Sequence, residues 1–476
     1  MKPEKIAGVI FLLSVGVASA ADFYFTRGPK TLEEGQSYSR DWENIINWSM
    51  TSPSTANELY NVSPWDRLPT SSDRVYFKDN ARFNGPTDLA SSGIVKISTP
   101  VYASYIFHGG AFSTPGITAL TEDASINLTV DASNKSSSNS GIGNVVIDNN
   151  QWDENFVISA NINISGGTSG IATIYNSSAR SNGSTDEKDK KNMVFSEGYT
   201  ITMLPNEEGK SNLLYIYNAN ARSLNGQACR TGDIIINSKI VTSNYVRLMG
   251  DGTAVDGYTP GVIRFSGSQS HEIGNINGFI LASGIVVETG MTNGAQFCDK
   301  NVQITNGSTL RLLASDQLTD KCGLQFKTPR TSDPTLMGGT FEMNGFSERI
   351  GTLTFYGDQA TQVNGTIDFG ENSIEQVFRA EGMSVGGGQM IKEGSYLYIL
   401  NYVLGEDHIY FDIKLSDSNK DMFVFEGYED GYELSETFID SLNTWEYSLV
   451  AIPEPSIFAS VLGIIAISAV CLRRRR

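Results

Sequence analysis

Carboxylates are the side chains best placed to do chemistry in this chain, which carries 53 Asp and Glu against 35 Lys and Arg. Asp148, Asp153, Glu342 and Asp368 lie in or near short strand-like runs, where side chains from successive strands can meet on one surface. Clustered carboxylates beside Lys or Arg are what acid–base cleavage of a polysaccharide requires. In a chain of net charge −18 most acids are solvated, and nothing in the spacing gathers these four, so no catalytic residue is assigned. His108, His271 and His408 stand singly, with no Ser or Asp partner set, as ordinary structural histidines do. Asp417-Ser-Asn419-Lys-Asp421 opens like a Ca²⁺ loop. It then fails at Met422, where the tight turn wants Gly, and at Tyr428, where a bidentate Glu is needed. Gly386-Gly-Gly388 lacks the Lys and Ser or Thr of a phosphate loop, and there is no G-x-S-x-G or H-E-x-x-H.

The cysteines point to structure rather than to a metal. No CxxC or Cys/His spacing is present, so neither metal nor cofactor is expected. Cys471 lies in the apolar tail, which leaves Cys229, Cys298 and Cys322 as an odd set. Cys298 and Cys322 are the closest pair in sequence and hence the candidate disulfide, although spacing alone does not establish it.

The elements that must position these residues are short strands. From about residue 85 to 380, alternating apolar runs of three to five residues are punctuated by Gly, Asn, Ser or Asp. Gly93–Ile97, Ser125–Val130, Asn144–Asp148, Asn161–Ile164, Gly232–Ile236, Gly261–Phe265 and Gly284–Glu288 are examples. Gly339-Thr-Phe-Glu-Met343, Gly351-Thr-Leu-Thr-Phe355 and Gly365-Thr-Ile-Asp-Phe369 repeat one pattern at offsets of 12 and 14 residues, and Asn306-Gly-Ser-Thr-Leu-Arg-Leu312 is a looser copy. A turn glycine, a β-branched residue and two apolar side chains make a strand that must stack on neighbours to bury its face. Spacings near a dozen suit two or three strands per turn of a coil. The expectation is an all-β fold: an elongated right-handed parallel β-helix (β-solenoid) over residues 85–390, with a β-sandwich array as the competitor.

Residues 21–84 differ. Trp42, Trp48 and Trp65 gather there with Tyr38 and Tyr60, and Pro53, Pro64 and Pro69 interrupt the segment, so an aromatic cap over the first sheet edge is expected. Residues 180–192 carry no apolar side chain and read as a projecting loop. Residues 391–450 form a closing β module.

Both ends seek a membrane. Lys2 and Lys5, the apolar run Ile6–Val17 and Ala18-Ser-Ala20 make a signal peptide over residues 1–20. Cleavage after Ala20 would start the mature chain at Ala21, with export through the Sec machinery. At the other end, Pro453-Glu454-Pro455 precedes the uncharged run Ile457–Leu472, expected as a single transmembrane helix, and Arg473, Arg474, Arg475 and Arg476 close the chain. The prolines keep the approach extended, and the arginines hold the C-terminus in the cytoplasm with everything upstream outside. So acidic a body repels phosphate, which excludes a nucleic-acid partner.

Residues 451–476, with Pro-Glu-Pro, short hydrophobic helix and arginine cluster in that order, resemble the PEP-CTERM sorting signal of Gram-negative bacteria. The resemblance implies that a membrane-embedded exosortase cuts near Pro453–Pro455 and releases the body to the cell surface or matrix. A plain tail anchor would account for the helix and arginines but not for the Pro-Glu-Pro. Residues 339–373 and 396–450 also resemble the autotransporter-type strand repeats and closing segment found upstream of such tails, except that Tyr402 stands where Trp is frequent. That resemblance implies a structural or adhesive, non-enzymatic protein that meets polysaccharide. The alternative is a secreted polysaccharide-degrading β-helix enzyme, a lyase or glycosidase, delivered by the same route.

Overall fold

The computed structural model describes residues 21–25, 41–49, 67–78, 95–110, 116–119, 125–131, 144–151, 155–166, 170–177, 191–205, 209, 212–219, 232–250, 261–305, 307–327, 338–356, 362–371, 374–385, 395–428 and 431–452. The signal peptide, the sorting tail with its arginines, Trp65, Asp153, Cys229 and most of the 180–192 insertion lie outside the described residues. Among the described residues no helix is long and apolar enough to cross a membrane.

The described chain is mostly β. Its strands form a long sheet of 16 strands, a second of 12 and a third of 6. From Val95 to Ile273 the chain visits the second, third and long sheets in fixed rotation, as in Val95–Ile97, Val101–Ala103 and Tyr105–Gly110. Glu272–Ile273 is the last strand of the third sheet, and from Phe279–Ala282 onward the chain alternates between the other two. Up to Phe423–Phe425, each of these strands lies parallel to the one laid down on the previous visit to its sheet.

The alternation read from the sequence is the burial pattern. Asn127–Asp131, Asn161–Ser165 and Thr200–Leu204 each bury their second and fourth residues, and these stack as Leu128, Ile162 and Ile201, and as Val130, Ile164 and Met203. The long sheet carries one unbroken apolar column through Ile106, Ile147, Ile174, Ile216, Leu248, Leu281, Ile304, Phe326 and Phe355. All of them are completely buried. Each such side chain removed from water is worth about 1.5–3 kcal/mol, which is what a parallel sheet needs on its faces.

The Gly-Thr repeats behave as successive strands. Thr340–Glu342 and Gly365–Asp368 are neighbours in the second sheet, with Thr309–Leu312 beneath them, whereas the copy at Gly351 lies in the long sheet within Glu348–Tyr356. Their glycines are not turn residues, and none of the three adopts a positive φ. A Cβ on Gly339 would stand 2.0 Å from Ile304 Cγ2, one on Gly365 2.2 Å from Phe326 Cδ2, and one on Gly351 2.8 Å from the Lys321 carbonyl oxygen. Close approach, not backbone freedom, requires glycine there.

Antiparallel strands occupy both ends of the long sheet. Trp48–Ser49 pairs with Asp22–Phe25 at one end, and the hairpin Tyr432–Ile439/Thr444–Ala451 pairs with His408–Phe411 at the other. Trp42 and Trp48 are fully buried, with ring centroids 4.9 Å apart, and pack against Phe23, Phe25 and Phe77. Indole Nε1 of Trp48 donates to the Trp42 carbonyl at 2.7 Å, so the polar edge of the ring is satisfied inside the cluster.

Candidate functional site

Strand register decides which of the sequence's candidate residues meet. In the second sheet Arg264, Glu288, Arg311, Glu342 and Asp368 occupy one column of successive strands. Arg264 meets Glu288 at 2.7 Å, and Arg311 bridges Glu288 at 3.1 Å and Glu342 at 2.8 Å. Burial works against the Arg311 charge, but the bonds to Glu342 and Glu288 outweigh it and raise its pKa above the ordinary arginine value. Asp368 ends the column, accepting from Asn401 Nδ2 at 2.7 Å and from the Gly370 amide at 2.9 Å. Glu342 and Asp368 are thus brought side by side. Asp148 is not with them: it lies in the long sheet, where it accepts from the Tyr105 hydroxyl at 2.9 Å. Burial and then Asp148 push that hydroxyl far above its usual pKa. Alternating cations and anions one strand apart neutralise each other, so the column holds neighbouring strands together more than it presents charge to a ligand.

The three histidines go to three different places. His108 starts a buried polar ladder in the long sheet, in register with Asn149, Asn176 and Asn218. Its Nδ1 lies 2.8 Å from Asn149 Oδ1; Asn149 Nδ2 donates to Asn176 Oδ1 at 2.9 Å, and Asn176 Nδ2 to Asn218 Oδ1 at 3.1 Å. Asn218 Nδ2 then reaches the Gly232 and Val262 carbonyls at 3.0 and 3.1 Å. The ladder was not anticipated, although Ile147-Asp-Asn149, Ile174-Tyr-Asn176 and Ile216-Tyr-Asn218 announce it as a recurrent Ile-x-Asn in the C-terminal part of each strand. His271 is buried among Phe265, Phe279 and Phe297 and accepts the Ile240 amide at 3.1 Å. Burial, aided by the Lys239 charge, pulls its pKa down to about 3, so the ring is neutral. His408 stacks on Tyr410 and meets Glu446 at 2.7 Å.

Buried carboxylate and amide groups hold backbone corners elsewhere. Glu348 accepts from the amides of Gln317 at 2.7 Å and Leu318 at 3.3 Å, while Gln317 Oε1 accepts from Met291 N at 2.6 Å and from Thr289 Oγ1 at 3.0 Å. Burial dominates over those bonds and pushes the Glu348 pKa up to about 8. Among the described residues no group of three or more His, Cys, Asp or Glu is arranged to hold a metal ion. The Asp417–Asp421 segment forms a one-turn helix, Asp417–Lys420, capped by Ser416, with Asp417 bridged to Lys420 at 2.8 Å.

Cys298 and Cys322 are both buried free thiols, and burial together with the neighbouring Cys298 pushes the Cys322 thiol well above its ordinary pKa. The structure therefore brings the candidate pair together as neighbouring thiols. Of the cleavage-site residues only Ala21 is described; it begins the first strand region and is buried. No protein-family model, no curated protein and no solved structure matches the chain.

Proposed function

We propose that the protein is an exported structural component of a cell surface or extracellular matrix, built as a right-handed parallel β-helix. It is made as a membrane-tethered precursor and released by an exosortase acting at Pro453–Pro455. The observation that carries this reading is that register-equivalent side chains bond to one another along the sheets. His108–Asn149–Asn176–Asn218 does so in one sheet and Arg264–Glu288–Arg311–Glu342 in another. Side chains spent on their own neighbours serve cohesion rather than turnover. A chain that returns to the same sheets in fixed order is one that winds, and the right hand is the sense that crossovers between parallel strands take. Ligands on such a body are extracellular polysaccharides met over a long side wall, through many weak contacts.

Fractionation of the native host followed by mass spectrometry of the chain ends tests the proposal. Surface or medium material should begin at Ala21 and end near Pro455. Surface material with Arg476 intact would overturn the sorting step, and soluble uncut protein in the cytosol would overturn export altogether.

A further inference from the structure

Leader cleavage after Ala20, which the proposed function includes, would convert the Ala21 amide into a free amine. The structure holds that nitrogen against a buried carboxylate. Register sets Asp22 opposite Arg74, so the preceding residues, Ala21 and Asp73, also lie side by side. Ala21 N donates to Asp73 Oδ1 at 3.1 Å, and the Ala21 carbonyl accepts from the Arg74 amide at 2.9 Å. Asp73 is 1% exposed. Arg67 grips it through Nη1 at 2.5 Å and Nη2 at 3.0 Å, and Thr70 adds its amide at 2.8 Å and hydroxyl at 2.7 Å. Burial opposes the carboxyl's charge, yet the bonds from Arg67, Thr70 and Ala21 outweigh it and lower the pKa.

From this geometry we infer that Asp73, positioned by Arg67 and Thr70, is a receptor for the α-ammonium group created when the leader is removed. An amide brings one hydrogen and no charge to Oδ1. An ammonium brings three hydrogens and a full positive charge, and a bond between two ionised groups is about twice as strong as a neutral one. The gain falls on the strand that needs it. Asp22–Phe25 inserts between Trp48–Ser49 and Arg74–Lys78 and buries Phe23 and Phe25. Processing thus tightens the first strand of the long sheet, and an uncut leader leaves it looser. Arg67 on Asp73 and the neighbouring Asp22–Arg74 pair, bridged at 2.7 Å, are further charges beside this strand start.

The test uses exported protein from the host, with its N-terminus read first by mass spectrometry. Acetic anhydride then labels the Ala21 amine in a pulse, over a range of pH, in folded protein, in urea-unfolded protein and in Asp73→Asn. A contacting carboxylate raises an amine's pKa by about one unit or more, so folded protein should label about tenfold more slowly near neutral pH, with its pH–rate curve displaced upward. Asp73→Asn should abolish that displacement. Burial alone would displace the curve downward, so the sign decides the matter even if Asp73→Asn does not fold. Equal labelling of folded and unfolded protein, or a downward displacement, overturns ammonium capture while leaving cleavage intact. A start other than Ala21 overturns both and is recognised from the mass before any labelling.

Discussion

Replacing Asn176 with alanine cuts the polar ladder at its middle. The side chain is completely buried and makes three bonds: it accepts from Asn149 Nδ2 at 2.9 Å and donates to Asn218 Oδ1 at 3.1 Å and to the Gly232 carbonyl at 3.0 Å. Gly232 keeps a donor in Asn218 Nδ2 at 3.0 Å, so its loss is small. Asn149 loses this acceptor and Asn218 Oδ1 loses this donor, in a place water does not reach. At about 1–3 kcal/mol for each buried group left without its partner, the expected cost is roughly 2–6 kcal/mol. Asn176→Asp should cost still more, because it sets a buried negative charge against two acceptors. Urea unfolding followed by far-UV circular dichroism gives the free energy for the whole chain. A cycle with Asn218→Ala should show coupling of about 0.5–3 kcal/mol. A loss below about 0.5 kcal/mol, or strict additivity with Asn218→Ala, would refute the ladder as a source of cohesion.

Gly365→Ala drives a methyl group to 2.2 Å from the Phe326 ring and should cost about 1–3 kcal/mol or more in the same urea assay. Gly382→Ala, whose Cβ would find nothing closer than Ile413 at 3.7 Å, should be nearly neutral; equal effects would sink the close-approach argument. Glu348, with its folded pKa raised to about 8, binds a proton that the unfolded chain has already released above about pH 4.5, so its contribution to stability is lost as pH rises through that window. His271, lowered to about 3, acts in the opposite sense, costing stability as pH falls below about 6.5, so of these two groups only Glu348 acts between about pH 6.5 and 8. Stability should fall there by about 2 kcal/mol, and Glu348→Gln should flatten the profile. Alkylation of exported protein, denatured without reductant, should leave Cys298 and Cys322 unlabelled and joined in one peptide pair; labelling of both would show that the neighbouring thiols stay reduced.

The strands were legible because alternation and burial are the same fact seen from two sides, as Asn161–Ser165 illustrates. The repeats carried more than their spacing. Aligning Gly339-Thr-Phe-Glu342 on Gly365-Thr-Ile-Asp368 already sets the two acids side by side, as register then does. The role of those glycines was hidden, since what they avoid, Ile304 and Phe326, belongs to strands of another sheet. Nor did anything local mark the end of the third sheet, because Glu272–Ile273 is too short to show a period. The burial of Glu348 was equally silent: a single acid near a strand looks the same whether water or the Gln317 amide receives it.

Parallel stacking contains no rule for stopping, since every new strand offers the next one the same row of donors and acceptors. In the long sheet the row of parallel strands is interrupted by an antiparallel pairing near each end. Trp48–Ser49 reverses direction at one limit and Thr444–Ala451 at the other, where Tyr432–Ile439 then turns back to the original direction at the edge. The stacking rule of the long sheet is thus broken at each end, and a second copy meeting either end meets a strand that the parallel winding did not lay down.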